Sequence, residues 1–500
     1  MKQLISIILL LALMLTIFAG CAADESGDIV TTTNGNASDD MTESDDTPKE
    51  TLREDTRDTL PDDLNFDGQE IRILHRSEDV WGTEITSESE IGEVVNDAIY
   101  NRNRNVEERL NVKITAIPRP GVWDNTNNFL NYVRTSIQAG DSDYDLIAGY
   151  AYFITGLALE GLFINWNTVD YIDPTQDWWS ADFANEMTIF DKLYFVAGDL
   201  SLTMLQSLFV VYFNKQMAVD FSLGNLYQIV LDGGFTLDKM EEFTKSVYQD
   251  INGDGAKDPG DRFGVAMTTG NFVDAFFNAF AHPITTKDGD GVPQLSLNTP
   301  KMIEMVNKVY TFLHENESSF TINETTDNDN LVSQMFAENR VLFNLSFLKY
   351  SSILRSMDSD YGIIPYPKWD EAQLNYHTAA QDGYSLFSIP VTCTIADTVG
   401  AVTEALCAES YRRVTPAYYE VTLKAKYSRD EETSQMLDLI RSGLTFNFGT
   451  VNSFSMDNMG HIFRNLVTSK STDFTSTYEK SQATYQAKLD AIVAAYKDLP

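Results

Sequence analysis

Basic side chains are scarce: 36 Lys and Arg stand against 74 Asp and Glu in 500 residues, a formal charge of −38. A nucleic-acid surface needs a basic stripe, and no stretch of the chain supplies one, so that class of partner is excluded. The acidity itself reads as a solvated, self-repelling surface that keeps a protein soluble. Histidine is thin as well: His75, His282, His314, His377 and His461 are scattered singly, and each reads as a surface or core residue rather than a catalyst. Also missing are a Gly-x-Ser-x-Gly elbow, a His-Glu-x-x-His pair, a Cys-x-x-Cys pair and a Walker loop, so no catalytic residue is assigned. Paired carboxylates for glycoside hydrolysis escape this test, because their separation of ~5 to 10 Å is set in three dimensions.

Only three cysteines occur, and the first, Cys21, follows Ala19-Gly20 at the end of an apolar run that opens after Lys2. This N-terminus resembles a bacterial lipoprotein signal over 1–20, with Phe18 where Leu is more usual. The resemblance implies cleavage before Cys21, a diacylglycerol on its sulfur, and a protein anchored at the extracellular face of the cell membrane. The run of roughly 16 apolar residues is short of the ~20 that span a bilayer, and no later segment is a transmembrane candidate. Between Cys393 and Cys407, Ile395, Val399, Val402 and Leu406 have helical spacing, which sets the two cysteines ~18 Å apart at 1.5 Å per residue. A disulfide needs Cα atoms within ~7 Å, so both are expected to be free, mostly buried thiols.

What is there is a globular chain. The 43% apolar content of 500 residues exceeds what one core usually needs, and two compact units are expected. From 21 to 63 the composition is Asp, Glu, Thr, Ser and Asn, too polar to bury a core, and reads as an acidic disordered tether. The stretch 144–166 then organises the rest. Asp145-Leu146-Ile147-Ala148-Gly149 follows the polar turn Gly140-Asp141-Ser142-Asp143 and reads as a short buried strand with a helix after it. Tyr150 and Tyr152 stand at that strand's carboxyl end, where open α/β sheets hold ligands.

Upstream, 70–74 alternates as a strand, 90–110 is helical, 111–117 is a second strand and 125–138 a helix with Phe129, Val133 and Ile137 on one stripe. That order describes a parallel, doubly wound lobe. Downstream, strands are expected at 193–196 and 208–213, then a helix capped by Thr236 with Met240, Phe243 and Val247 facing a core. Further helices fall at 271–280, 299–314 and 329–338, and strands at 341–345, 361–368 and 383–389. The end of the chain is mainly helical, with Tyr478, Tyr485, Leu489, Ile492, Val493 and Tyr496 on one face.

The sharpest motif is Asp250-Ile251-Asn252-Gly253-Asp254-Gly255-Ala256-Lys257-Asp258-Pro259-Gly260-Asp261. Its oxygen ligands and its glycine have the spacing of an EF-hand calcium loop. Asp250, Asn252, Asp254, Asp261, the Ala256 carbonyl and Asp258 through water would supply the hard oxygens of a structural Ca²⁺. Asp261 is a shorter arm than the usual Glu, and a strand rather than a helix follows; an ordinary acidic Gly turn is the alternative.

Several landmarks stand in a fixed order: the lipobox and tether, Asp143-Tyr144-Asp145-Leu146-Ile147, Val211-Tyr212-Phe213-Asn214-Lys215, the calcium-like loop with Phe263-Gly264, 361–368, and Gly383-Tyr384 leading to Ile389-Pro390. Over roughly 64–500 the chain resembles the family 1 extracellular solute-binding proteins of bacterial ABC importers, the class that includes maltose-type sugar receptors. The resemblance implies an α/β, two-lobe periplasmic-binding-protein-like (type II) fold with an interlobe ligand cleft and a hinge. Lobe one would be 64–165 and 379–412, lobe two 166–378 and 413–500. It further implies a lipid-anchored monomer, not an enzyme, that captures a small solute, a sugar or oligosaccharide, by hinge closure and delivers it to ABC transporter permease subunits. A secreted polysaccharide-active enzyme (glycosidase or lyase) and a ligand-presenting sensor lipoprotein are the alternatives.

A sugar receptor needs carboxylates or amides for hydroxyls and flat rings for C–H faces. By position the candidates are Trp81, Tyr150 and Tyr152 from lobe one, Asn271, Phe272 and Asp274 from lobe two, Asp382 and Tyr384 near the return crossing, and Asp199. For each, packing or a surface role is the alternative. The cysteine reading is tested by thiol titration: the unfolded protein should show reactive Cys393 and Cys407 while the native protein shields both, and an unfolded protein with no titratable thiol would contradict it.

Overall fold

The computed structural model describes residues 53–423 and 431–499. Cys21, the signal 1–20 and most of the tether lie outside the described residues. Two sheets carry the architecture, and a separate antiparallel hairpin pairs β6 (Thr285–Lys287) with β7 (Pro293–Leu295). In the first, β1 (Gln69–Arg76) runs parallel to both β2 (Val112–Arg119) and β3 (Leu146–Tyr150), with Ile73 opposite Ala116 on one side and Leu146 on the other. The crossovers are the expected helices, Val94–Leu110 and Thr126–Ala139, which bury Val106, Leu110, Phe129, Val133 and Ile137. Each stops at a left-handed residue, Asn111 (φ 48°) and Gly140 (φ 79°), as helix C-termini prefer. A late strand, β11 (Ser385–Ser388), pairs antiparallel with β3 and gives the order β11-β3-β1-β2.

The second sheet has the order β10-β4-β9-β5-β8, from β4 (Phe209–Asn214), β5 (Phe263–Thr268), β8 (Ser319–Ile322), β9 (Val341–Phe347) and β10 (Tyr361–Ile364). β5 is parallel to β8 and β9, whereas β4 is antiparallel to β9 and β10. Every residue of β4, β5, β9 and β10 is buried, because helices cover both faces. Thr236 caps the helix Leu237–Thr244 by accepting from the Lys239 N–H, and the prolines after Ile364 end β10 early.

Three expectations change. The strand at 193–196 is extended backbone with a single bridge, Val196 to Phe387. That bridge belongs to a larger correction: 166–200 packs on the first sheet, so lobe two does not begin at 166. The Trp166 indole donates to the Phe387 carbonyl (3.2 Å). Trp178 and Trp179 both donate to the Glu404 carboxylate (3.0 and 2.6 Å), which lies in the helix Ala396–Glu409. Buried indole N–H groups need an acceptor, and lobe one supplies them. The chain leaves for the second sheet only after the short helix Leu202–Gln206.

The tether is also shorter than read. Its described part, 53–63, lies on the body: Leu60 is buried, Asp58 pairs with Arg109 at 2.8 Å, and Arg53 pairs with Asp438 at 2.9 Å. One buried leucine and two ion pairs to the body outweigh its polar composition.

Cys393 and Cys407 are free and buried, as expected. The final helix, Phe474–Asp498, buries Tyr478, Tyr485, Leu489, Ile492 and Tyr496, leaving Val493 half-buried. It packs on elements of the second sheet's half, and at its far end Tyr496 meets Tyr194 edge-on at 5.6 Å. Among the described residues no helix is long and apolar enough to cross a membrane.

Candidate ligand-binding cleft

Four segments distant in sequence converge between the two sheets: the start of the helix Ala151–Ala158, the helix Asn271–Ala279, the return segment 379–384, and 446–464. They border a space of ≈ 50 Å³ lined by Asn271, Asp274, Phe277, Asp382, His461 and Arg464, among others. An adjoining space of ≈ 30 Å³ is lined by Tyr152, Asp382, Tyr384, Phe446 and Asn447. Asn278, Ala380, Asp382 and Thr450 border both spaces.

Local backbone rules set this geometry. Gly270 has φ 85°, a conformation that L side chains rarely adopt, which is why glycine stands here. The tight turn aims the next residue at Glu324, which accepts from the Asn271 N–H (2.8 Å) and from its side-chain amide (2.7 Å). One helical turn on, Asp274 pairs with Arg464 of the helix Ile462–Thr468 at 3.1 Å. Its second oxygen, Oδ1, is buried and has no hydrogen-bond partner.

Burial dominates the electrostatics. It pushes the Asp274 carboxyl up to about 7, with Arg464 opposing and Asp382 and Glu324 reinforcing the shift. Asp382 is pushed up to about 6 for the same first cause, again opposed by Arg464. Glu324 is raised by burial, and His461 is pushed down to about 3 by burial and then by Arg464, so the imidazole is neutral. On that imidazole lies the Tyr152 ring, stacked at 5.3 Å and 12° between planes, while the Tyr152 hydroxyl donates to Asn458 Oδ1. A lobe-one ring thus closes on the segment that carries Arg464.

Of the residues chosen from sequence, Tyr152, Asn271, Asp274, Asp382 and Tyr384 line this space and the others do not. Tyr150 and Trp81 are engaged beneath it: the buried Arg76 guanidinium lies 4.9 Å from each ring centroid, and the Trp81 indole donates to the Gly383 carbonyl at 2.8 Å. Phe272 is core, 4.4 Å from the Phe347 ring. Asp199 lies away from the cleft, accepting from Thr415 (2.7 Å) and pairing with Arg441 (2.6 Å). Arg464, His461, Glu324, Phe277 and Asn278 escaped the sequence reading. No local motif marks them, although Phe277 and Asn278 fall one helical turn beyond Phe272 and Asp274.

The loop 250–261 lies on the surface ahead of β5. Gly253 and Gly255 take φ 75° and 76°, and the Asp250 carboxylate accepts from both of their N–H groups (2.6 and 3.0 Å). Asn252 accepts from the Asp254 N–H and donates to Asp258, and Asp254 accepts from the Ala256 N–H. Asp261 is fully buried; Oδ2 accepts from Tyr248, whereas Oδ1 has no partner. Among the described residues no three His, Cys, Asp or Glu side chains are gathered as a metal site, because these carboxylates turn to backbone N–H groups instead of to one another.

No family model matches the chain, and no curated protein matches it in sequence. Solved structures do. A cyclo/maltodextrin-binding protein complexed with maltotetraose is similar at 11% identity and TM-score 0.53, over 87% of this chain and 98% of that one. UgpB from Mycobacterium tuberculosis in complex with glycerophosphocholine is similar at 16% identity and TM-score 0.52, over 79% and 95%. The MalE domain from Bdellovibrio bacteriovorus bound to maltotriose is similar at 15% identity and TM-score 0.50, over 84% and 100%. These likenesses show the fold: α/β, two-lobed and periplasmic-binding-protein-like.

The raised cleft carboxyls carry a stability consequence. Between the unfolded value of 3.8 and the folded value of about 6, Asp382 holds more proton in the folded state. Its contribution is present below the unfolded value and is lost as pH rises through the folded one. In ligand-free protein, Asp382→Asn should match wild type at pH 3 and exceed it by about 3 kcal/mol at pH 7.5, read by urea unfolding across pH.

Proposed function

We propose that this chain is an extracellular solute-binding receptor that takes a small solute, a sugar or oligosaccharide, into the interlobe cleft and presents it to the permease subunits of an ABC importer. It acts as a monomer held at the membrane surface through lipid on Cys21. The observation that carries the reading is the cleft itself: Asp274, Asp382, Asn271 and Arg464 offer partners for hydroxyls, and the Tyr152 and Phe277 rings offer faces for C–H groups, in a space between two lobes. The fold shared with binding proteins complexed with maltotetraose and maltotriose agrees with it. Contacts from both lobes let a ligand shift an open ensemble toward the closed one, and Tyr152 against His461 is the part of that closure supplied by lobe one.

The test is thermal-shift screening of the protein from residue 22 onward against mono- and oligosaccharides, followed by product analysis of each hit. Stabilisation without turnover is expected, since a bound ligand adds RT ln(1 + [L]/Kd). Turnover would convert Asp274 and Asp382 into a glycosidase pair and overturn the receptor reading. Tyr152→Ala should weaken binding by about tenfold with little loss of ligand-free stability.

The loop 250–261 is proposed to hold a structural Ca²⁺ through Asp250, Asn252, Asp254, the Ala256 carbonyl, Asp258 through water, and Asp261. What supports this is the buried, unpartnered Oδ1 of Asp261, the twelfth residue of a loop rich in hard oxygens. Binding would replace the N–H partners of the loop carboxylates with the ion and pin the entrance to β5. EDTA should lower Tm, Ca²⁺ should restore it, and Asp250→Ala should remove the effect; a Tm indifferent to EDTA would end the calcium reading.

A further inference from the structure

Apart from the cleft lies a groove of ≈ 700 Å³ that shares none of the cleft's lining residues. It is bounded by the start of the helix Val94–Leu110, the crossing helix Leu202–Gln206, the turns Leu348–Ser356 and the helix Thr415–Leu423. Part of its lining is apolar and incompletely covered. Val95, Ile353 and Val421 are half-buried there, and Ile91 is 70% exposed.

The polar part of the lining is unsatisfied. Tyr418 (7% exposed) and Thr422 (2%) stand one turn apart on the helix Thr415–Leu423, and both border the groove. Their hydroxyls lie near each other, but neither has a hydrogen-bond partner. Burial holds the Tyr418 phenol well above its ordinary pKa, so it keeps a proton to donate. Arg355, also in the lining, is close enough to that phenol to act on it electrostatically and forms no ion pair among the described residues. The other charged groups of the groove are engaged: Glu93 accepts from the Asn96 N–H at 2.7 Å, and Lys349 has Asp329, Glu324 and Asp79 around it.

A buried hydroxyl without a partner costs roughly 1–3 kcal/mol, which a guest with acceptors would recover. A carboxylate accepts from both hydroxyls and gives the guanidinium its counter-charge, whereas a neutral alcohol serves only the hydroxyls. The uncovered Ile91 and Val95 ask in addition for an apolar body, which an inorganic anion lacks. We propose that this groove is a second small-molecule site for a carboxylate on an apolar body, its carboxylate at Tyr418, Thr422 and Arg355 and its body along Val95, Ile353 and Val421. The site stands whatever solute the cleft takes.

Calorimetric titration of the protein compares each acid with its uncharged amide: butanoate, hexanoate, octanoate and phenylacetate against butanamide, hexanamide, octanamide and phenylacetamide. At pH 7 at least one acid should bind, about tenfold or more tighter than its amide. Arg355→Gln should remove that preference. Tyr418→Phe should weaken the acid several-fold while leaving ligand-free stability unchanged or raised, because the hydroxyl it deletes has no partner; a hydroxyl with a purely structural role would lower stability instead. Binding of none of the acids, amides that bind as tightly as the acids, or an acid affinity untouched by both substitutions would overturn the proposal.

Discussion

The fully buried guanidinium of Arg76 is the interaction on which the rest of the cleft depends. It stands at the end of β1, donates to the Gly383 carbonyl and to Ser385 Oγ at 2.8 Å each, and has Trp81 and Tyr150 against it. Ser385 in turn donates to the buried Glu84, which also accepts from the N–H and hydroxyl of Thr203. One network therefore joins β1, the end of β3, the segment where the chain leaves for the second sheet, and the strand where it has returned. Burial lowers the Arg76 pKa to about 10, still far above neutrality, so the charge persists and needs all of these partners. Because 383–385 hangs on Arg76, the placement of Asp382 and Tyr384 does too.

Above that network the logic reverses. Beneath the cleft the Arg76 and Glu84 charges are held by carbonyl, hydroxyl and N–H partners, although Arg76 Nε has none, while inside it Oδ1 of Asp274 has no donor. Such an arrangement lowers the stability of the empty protein, and sites meant for a ligand are where proteins carry that cost. The Tyr152 ring on His461 and its hydroxyl on Asn458 show how lobe one reaches across without filling the space between Asp274 and Asp382.

Much of this was legible in the chain. The alternation of Ile71 and Ile73 and the stripe of Phe129, Val133 and Ile137 announce a parallel lobe, since period-two and period-3.6 patterns are local properties. Tyr152, Asp274 and Asp382 could be chosen because they sit at element ends that open α/β folds turn toward a ligand. Tyr150 and Trp81 satisfied the same positional rule and were taken instead by Arg76, a partner that no spacing in the sequence announces. Asp199 was lost in the same way to Thr415 and Arg441, which lie on helices far along the chain.

By itself, then, the amino-acid order determined most of the elements, the acidic character and the two free thiols, because each follows from composition or from neighbours within a few turns. Tertiary structure alone decided that 166–200 stays with the first sheet, that 53–63 lies on the body, and that Glu324, His461 and Arg464 meet Asp274 and Asp382 in one cleft. Those outcomes depend on which buried donor finds which acceptor across hundreds of residues, and on how much water the closed lobes remove from the charges between them.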